Sequence, residues 1–151
     1  MKAVILVGGK GTRLKPYTTT IPKPLLPVGD RPILEIILAQ LKNCGTTEII
    51  LAVGHMAHLF ESFFQDGRRH GLKISYSYEE EPLGTAGAIA SSLDKLDGNF
   101  LVMNGDILTT MNYLKFYDFA MDMDTDLIIG TKEISAPFEF GRIVSDGRSP
   151  A

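Results

Sequence analysis

Several groups of residues in this 151-residue chain have the types and spacing to act on an anion. Gly8-Gly9-Lys10-Gly11-Thr12-Arg13-Leu14 follows an apolar run. Its glycines let the backbone turn tightly and aim bare N–H groups at phosphate oxygens, while Arg13 and Lys10 add positive charge. The usual phosphate-loop pattern fails because no Gly-Lys-Ser/Thr closes the segment, and the dinucleotide pattern fails because Leu14 occupies the last glycine position. A glycine-rich turn with no ligand remains open on the glycines alone. In Ile21-Pro22-Lys23-Pro24-Leu25-Leu26-Pro27, prolines on both sides of Lys23 restrict its backbone. An ammonium so held suits charge building up on phosphoryl oxygens, although a solvated surface lysine fits the same residues. Asn104-Gly105-Asp106 sets a carboxylate at the end of an apolar run. There it suits a hard cation such as Mg²⁺, or it caps a helix.

Other features are set aside. His55 and His58 lack a nearby third ligand and read as exposed histidines. Asp122, Asp124 and Asp126 alternate like part of a calcium loop but lack its glycine and closing glutamate. Phe60, Phe63 and Phe64 read as core rather than as a base-stacking platform. Cys44 has no partner for an internal disulfide and reads as an intracellular thiol, which makes the cytoplasm the expected compartment.

The elements that must position these groups alternate along the chain. Val4–Val7 reads as a strand buried on both faces. The segment from Lys10 to Pro27 carries four prolines, Pro16, Pro22, Pro24 and Pro27, too many for a helix or a central strand. Asp30 is placed to cap a helix over Ile33–Lys42, with Ile33, Ile36, Ile37 and Leu41 on its apolar face and Leu34 and Leu38 widening it. Glu48–Val53 reads as a second strand, Ala57–Gln65 as a helix, Lys73–Tyr78 as a third strand and Thr85–Leu96 as a small-residue helix. Asn99–Met103 reads as a fourth strand, Asn112–Ala120 as a helix, Asp126–Thr131 as another buried strand, and Phe138–Val144 as extended. Strands separated by single helices imply a mostly parallel, Rossmann-like sheet covered on both faces, a three-layer α/β sandwich. Ligands of such sheets bind beyond the carboxyl ends of the strands. Gly8-Gly9, Gly54-His55, the segment from Glu79 to Gly84, and Asp106 all fall at those ends.

The length and a 44% hydrophobic content allow one substantial core. A formal net charge of -3 gives no reason to expect nucleic acid or an acidic membrane as partner. The apolar opening is too short for a signal-peptide core or a membrane span.

Taken together, Gly8-Gly9-Lys10-Gly11-Thr12-Arg13-Leu14-Lys15-Pro16, Pro22-Lys23-Pro24, Pro82-Leu83-Gly84-Thr85-Ala86-Gly87 and Asn104-Gly105-Asp106 resemble the sugar-phosphate nucleotidyltransferases, in that family's order. The resemblance implies the nucleotide-diphospho-sugar transferase type of fold. It further implies that Leu6, Gly8, Gly9, Gly11 and Thr12 cradle the nucleotide, that Arg13 and Lys23 hold the phosphates, and that Asp106 binds Mg²⁺. The loop around Gly84 is implied to lie against the nucleobase. Guanine has two adjacent donors that Glu79 could accept, which favours GTP; a solvated acidic turn over Glu79, Glu80 and Glu81 stays open. The Leu-Gly-Thr-Ala-Gly form is more similar to mannose-1-phosphate guanylyltransferases than to thymidylyl enzymes. Gly141, within Phe140-Gly141-Arg142-Ile143-Val144, resembles the glycine that approaches the sugar. Family members are longer, so residues 1–151 are expected to be the nucleotide-binding part of one nucleotidyltransferase domain, truncated at its C-terminus. The expected reaction joins an NTP and a sugar 1-phosphate to give an NDP-sugar and pyrophosphate, possible homo-oligomers included. The alternative is a non-catalytic homologue that binds nucleotide sugar and regulates a partner; a dehydrogenase is disfavoured by the failed dinucleotide pattern.

Overall fold

A computed structural model describes residues 1–9, 14, 16–79, 81 and 83–132. Lys10, Gly11, Thr12, Arg13, Glu80, Pro82 and the segment around Gly141, all singled out above, lie outside the described residues. The first apolar run forms β1, Lys2–Leu6, beginning at Lys2 rather than Val4. The Val7 N–H still donates to the Ala52 carbonyl at 3.0 Å, so the ladder extends one step past the strand.

The proline-rich segment holds two short 3₁₀ turns, Tyr17–Thr19 and Lys23–Leu25, and then a small hairpin of β2, Pro27–Val28, and β3, Arg31–Pro32. Asp30 therefore does not cap the following helix. It shares a two-residue hairpin loop with Gly29, whose φ of 66 suits the first position of a tight turn, and the cap position of α1, Ile33–Asn43, belongs to Pro32. The buried face of α1 is Leu34, Ile37, Leu38 and Leu41, spaced as one helical stripe, while Ile33 and Ile36 stand at its margins.

Next come β4, Glu48–Val53; α2, Ala57–Phe64; β5, Lys73–Tyr78; α3, Gly84–Ala90; β6, Phe100–Asn104; and α4, Tyr113–Met121. The two middle strands coincide with the expected ones, and Asn112 caps α4 by accepting the Lys115 N–H at 3.0 Å. α3 is shorter than expected, giving way to a 3₁₀ turn at Leu93–Lys95. Phe60 and Phe64 enter the core as expected, but Phe63 is 54% exposed. The run Asp126–Thr131 is not a strand: Leu127 and Ile129 are 73% and 61% exposed. An apolar run becomes a strand only when a neighbour takes up its backbone hydrogen bonds, and none of the described strands does so here.

The main sheet runs β5-β4-β1-β6 with every neighbouring pair parallel. Alternate residues of its central strands point to opposite layers. Ala3, Ile5, Ile49, Leu51 and Val53 join Leu34, Ile37, Leu38, Leu41, Phe60 and Phe64 in one core, whereas Val4, Ile50 and Ala52 pack with Ala88 of α3 in a second. Helices thus cover both faces, as the all-apolar central strands require. No helix among the described residues is long and apolar enough to cross a membrane.

Candidate active site

The chain runs from β1 outward to β4 and β5, then returns across β1 to add β6 on its far side. That reversal opens a crevice between β1 and β6 at their carboxyl ends, the place where open α/β sheets bind ligands. The register sets what lines it. Leu6 is level with Ala52 on one side and Asn104 on the other, and Val53 is level with Tyr78. Hence Gly8, Gly54, Glu79 and Asp106 leave their strands at one rim. Two further bonds fix this: the Gly105 N–H donates to the Leu6 carbonyl at 2.9 Å, and the Glu79 N–H to the Val53 carbonyl at 2.9 Å.

A cleft of about 360 Å³ lies there, lined by Leu6, Val7, Gly8, Gly9, Lys23, Pro24, Glu79, Gly84, Thr85, Ala88, Asn104 and Asp106. This is within the size range of small-molecule sites. Of the expected site residues, the structure brings together Leu6, Gly8, Gly9, Lys23, Glu79, Gly84 and Asp106; Gly11, Thr12, Arg13 and Gly141 lie outside the described residues.

Lys23 reaches the cleft from the proline-rich segment between β1 and α1. Its 3₁₀ turn is closed by the Leu25 N–H to the Pro22 carbonyl at 2.9 Å, and buried Leu25 anchors the turn in the main core. The ammonium meets Asp106, with Nζ and Oδ2 2.7 Å apart. Asp106 owes its place to Gly105: a Cβ there would stand 2.5 Å from Val7 Cγ1 and 3.1 Å from Ile5 Cγ2, so only glycine lets the end of β6 lie flat on β1. Gly9, in contrast, would have nothing within 4 Å of a Cβ, and its backbone faces open space.

Glu79 bends back over this rim. Its Oε2 accepts the Leu83 N–H at 3.3 Å, and its Oε1 lies 3.5 Å from where a Cβ of Gly8 would be. The carboxylate thus ties the end of β5 to the residue before α3 and lies beside Gly8. Gly84 takes φ 69, a backbone state that side chains strain, and opens α3 along the cleft wall. A second tie lies behind the wall: the buried Ser77 hydroxyl donates to the Ser91 carbonyl at 2.9 Å. The sequence places Ser77 in the third expected strand without singling it out. Its pairing with Ser91 depends on which helix packs on that face, which strand alternation does not reveal. Asn104, Thr85, Pro24, Val7 and Ala88 also line the cleft without having been singled out as site residues. The first three stood within recognised motifs, whereas Val7 and Ala88 carry no chemical signal.

Lys23 is the only cation among the described lining residues, against two carboxylates, Asp106 and Glu79. A highly charged anion in this cleft therefore needs positive charge beyond the described residues, from neighbouring side chains or a bound cation.

The nucleotidyl transferase family model matches residues 2–150. Over 145 residues the chain is 39% identical to a mannose-1-phosphate guanylyltransferase of Mycobacterium tuberculosis, covering 95% of this chain and 40% of that protein. Over 106 residues it is 47% identical to a D-glycero-alpha-D-manno-heptose 1-phosphate guanylyltransferase of Campylobacter jejuni, covering 70% of this chain and 48% of that one. The crystal structure of HddC from Yersinia pseudotuberculosis complexed with GMP-PN superposes with a TM-score of 0.72 at 34% identity, over 80% of this chain and 54% of that chain. The chain thus spans less than half the length of these two relatives. With its sheet order, its rim of glycines and its matched residues in agreement, the chain belongs to the nucleotidyl transferase family.

Proposed function

We propose that this chain is the nucleotide-binding part of a sugar-1-phosphate nucleotidyltransferase, similar to the mannose-1-phosphate guanylyltransferases. An oxygen of the sugar 1-phosphate attacks the α-phosphorus of the nucleoside triphosphate in line; the new P–O bond forms as the bond to the β-phosphate oxygen breaks, and pyrophosphate leaves. The observation that carries the reading is the Lys23–Asp106 pair at the switch between β1 and β6, beside the open backbone of Gly9.

In this reading Gly8, Gly9, Gly11 and Thr12 pass phosphates along the backbone, with Leu6 beneath the nucleoside. Arg13 and Lys23 neutralise charge on the α-phosphate and on the departing pyrophosphate. Glu79 and Gly84 line the base subsite, Glu79 accepting the donors of guanine, and Gly141 approaches the sugar. Guanine is supported by the guanylyltransferase relatives and by the GMP-PN complex of the Yersinia protein. The sugar stays open between mannose and heptose types, since relatives of both kinds match. The proposal includes a cytoplasmic site of action, on the unpaired thiol of Cys44.

The donor set suits a divalent cation of the Mg²⁺ kind. Among the described residues no cluster of three His, Cys, Asp or Glu exists to cage a metal, but Asp106 offers one carboxylate, with Asn104 beside it on the cleft. Mg²⁺ is commonly held by one or two carboxylates together with substrate phosphates. Bound there, it would offset the phosphate charge that Arg13 and Lys23 leave uncompensated.

The test is to incubate the full-length parent of this chain with each nucleoside triphosphate, Mg²⁺ and a panel of sugar 1-phosphates, and to follow pyrophosphate release. Release with GTP and a manno-configured sugar phosphate is expected. Tight binding of GDP-sugar with no release under any combination would replace this reading with that of a nucleotide-sugar-binding regulator.

A further inference from the structure

Lys23 and Asp106 are two of the three charged groups among the described lining residues of the cleft, and they pair with each other at 2.7 Å. Their side chains are 39% and 30% exposed, so the pair lies at a wet rim where an ion pair contributes little to stability. While closed, it withholds both groups from a ligand. A cation approaching Asp106 meets an ammonium already in place. A phosphate approaching Lys23 meets a carboxylate.

We propose that the Lys23–Asp106 pair is an exchange latch. Neither a free divalent cation nor a metal-free triphosphate opens it well, but the two together do, the phosphate taking Lys23 as the cation takes Asp106. The inference rests on the nucleotidyl-transfer reading for the identity of the anion. Its physical basis is charge compensation. Breaking the pair for one ligand strands an opposite charge in a cleft where, among the described lining residues, the remaining charged group is Glu79. Breaking it for both ligands strands none. The latch makes the two affinities mutually dependent, and reciprocally so, because each ligand must raise the other's affinity by the same factor. Pro22 and Pro24 hold the backbone of Lys23, and Gly105 fixes that of Asp106 against β1, so the exchange requires only side-chain motion. The cleft would thereby discriminate against unchelated nucleotide, which brings no cation to take Asp106 from Lys23.

Two arms test this with binding alone. Mn²⁺ serves as the cation probe, titrated into the 151-residue chain without nucleotide and followed by the paramagnetic signal of free Mn²⁺. Lys23→Met is expected to bind Mn²⁺ at least about fivefold more tightly than the unaltered chain, with Asp106→Asn removing the site. In the second arm, GTP is titrated in the presence of EDTA, where Asp106→Asn is expected to bind it several-fold more tightly than the unaltered chain. Unchanged affinity in either arm overturns the latch, as does Mn²⁺ binding too weak to detect in Lys23→Met. The outcomes separate from those of the function itself: pyrophosphate release with flat binding arms leaves the enzyme reading standing and removes the latch. A released Mn²⁺ site with no nucleotidyl transfer does the reverse.

Discussion

Lys23 Nζ lies 2.7 Å from Asp106 Oδ2, joining a proline-clamped turn from one end of the chain to the tip of β6. Both groups would touch phosphate or its counter-ion in the proposed reaction, while neither contributes much to the core. Lys23→Ala should therefore lower kcat/KM by roughly 10²–10³-fold, the scale of losing one preorganised charge donor. Its unfolding free energy should stay within about 1 kcal/mol of the unaltered protein, as expected for an exposed pair. Pyrophosphate release and urea denaturation measure the two; an unaltered rate would remove Lys23 from the chemistry.

Gly105 and Gly9 should separate packing from binding. Gly105→Ala forces a Cβ to 2.5 Å from Val7 Cγ1 and should cost about 1–3 kcal/mol as overpacking, readable as a lower denaturation midpoint. Gly9→Ala has open space around the new methyl, so its stability should change by less than about 0.5 kcal/mol. Its nucleotide affinity should fall all the same, because the methyl would stand where phosphate oxygens approach the backbone. Calorimetric titration with Mg²⁺ and GTP checks the second half.

Much of this was legible in the sequence, for identifiable reasons. β4 and β5 stand out because runs such as Glu48–Val53 are bounded by turn residues and are of strand length. Lys23 and Asp106 stand out because proline and glycine restrict or free the backbone beside them. The errors fall where a partner decides. Asp30 has a capping side chain, yet the Gly29 turn places it in a hairpin loop. Asp126–Thr131 has the composition of a buried strand, but composition supplies no neighbouring strand to pair with it. Phe63 shares the aromatic run of Phe60 and Phe64, and only the packing of α2 turns it outward. The tie between Glu79 and the Leu83 N–H was invisible because a carboxylate's acceptor contacts depend on loop conformation.

The α3 wall of the cleft should loosen when its rear tie is cut. Ser77 is buried and its hydroxyl donates to the Ser91 carbonyl at the end of α3. Ser77→Ala should cost about 1 kcal/mol of stability. It should also raise the KM for the triphosphate more than it lowers kcat, since α3 lines the cleft without carrying phosphate charge. A fall in kcat alone would show that α3 serves the chemical step instead.

Stability should decline in alkali through Tyr76. Burial, then the nearby Glu61 carboxylate, pushes its phenol up to about 12 from an ordinary 10.0, and its hydroxyl donates to the Gln65 carbonyl at 2.7 Å. Between these values the unfolded chain has lost this proton while the folded chain keeps it. The contribution is thus complete below pH 10 and disappears as pH rises through about 12. Denaturation midpoints measured from pH 9 upward should fall less steeply in Tyr76→Phe than in the unaltered chain.

The central claim is that one rim of the sheet gathers glycine backbone, Lys23 and Asp106 around a single triphosphate. Amide chemical shifts of the 151-residue chain titrated with Mg²⁺ and GTP test it most directly. Gly8, Gly9, Lys23, Glu79 and Asp106 should move together along one binding curve with a shared Kd. Shifts confined to another face of the fold, or separate curves for Lys23 and Asp106, would contradict it.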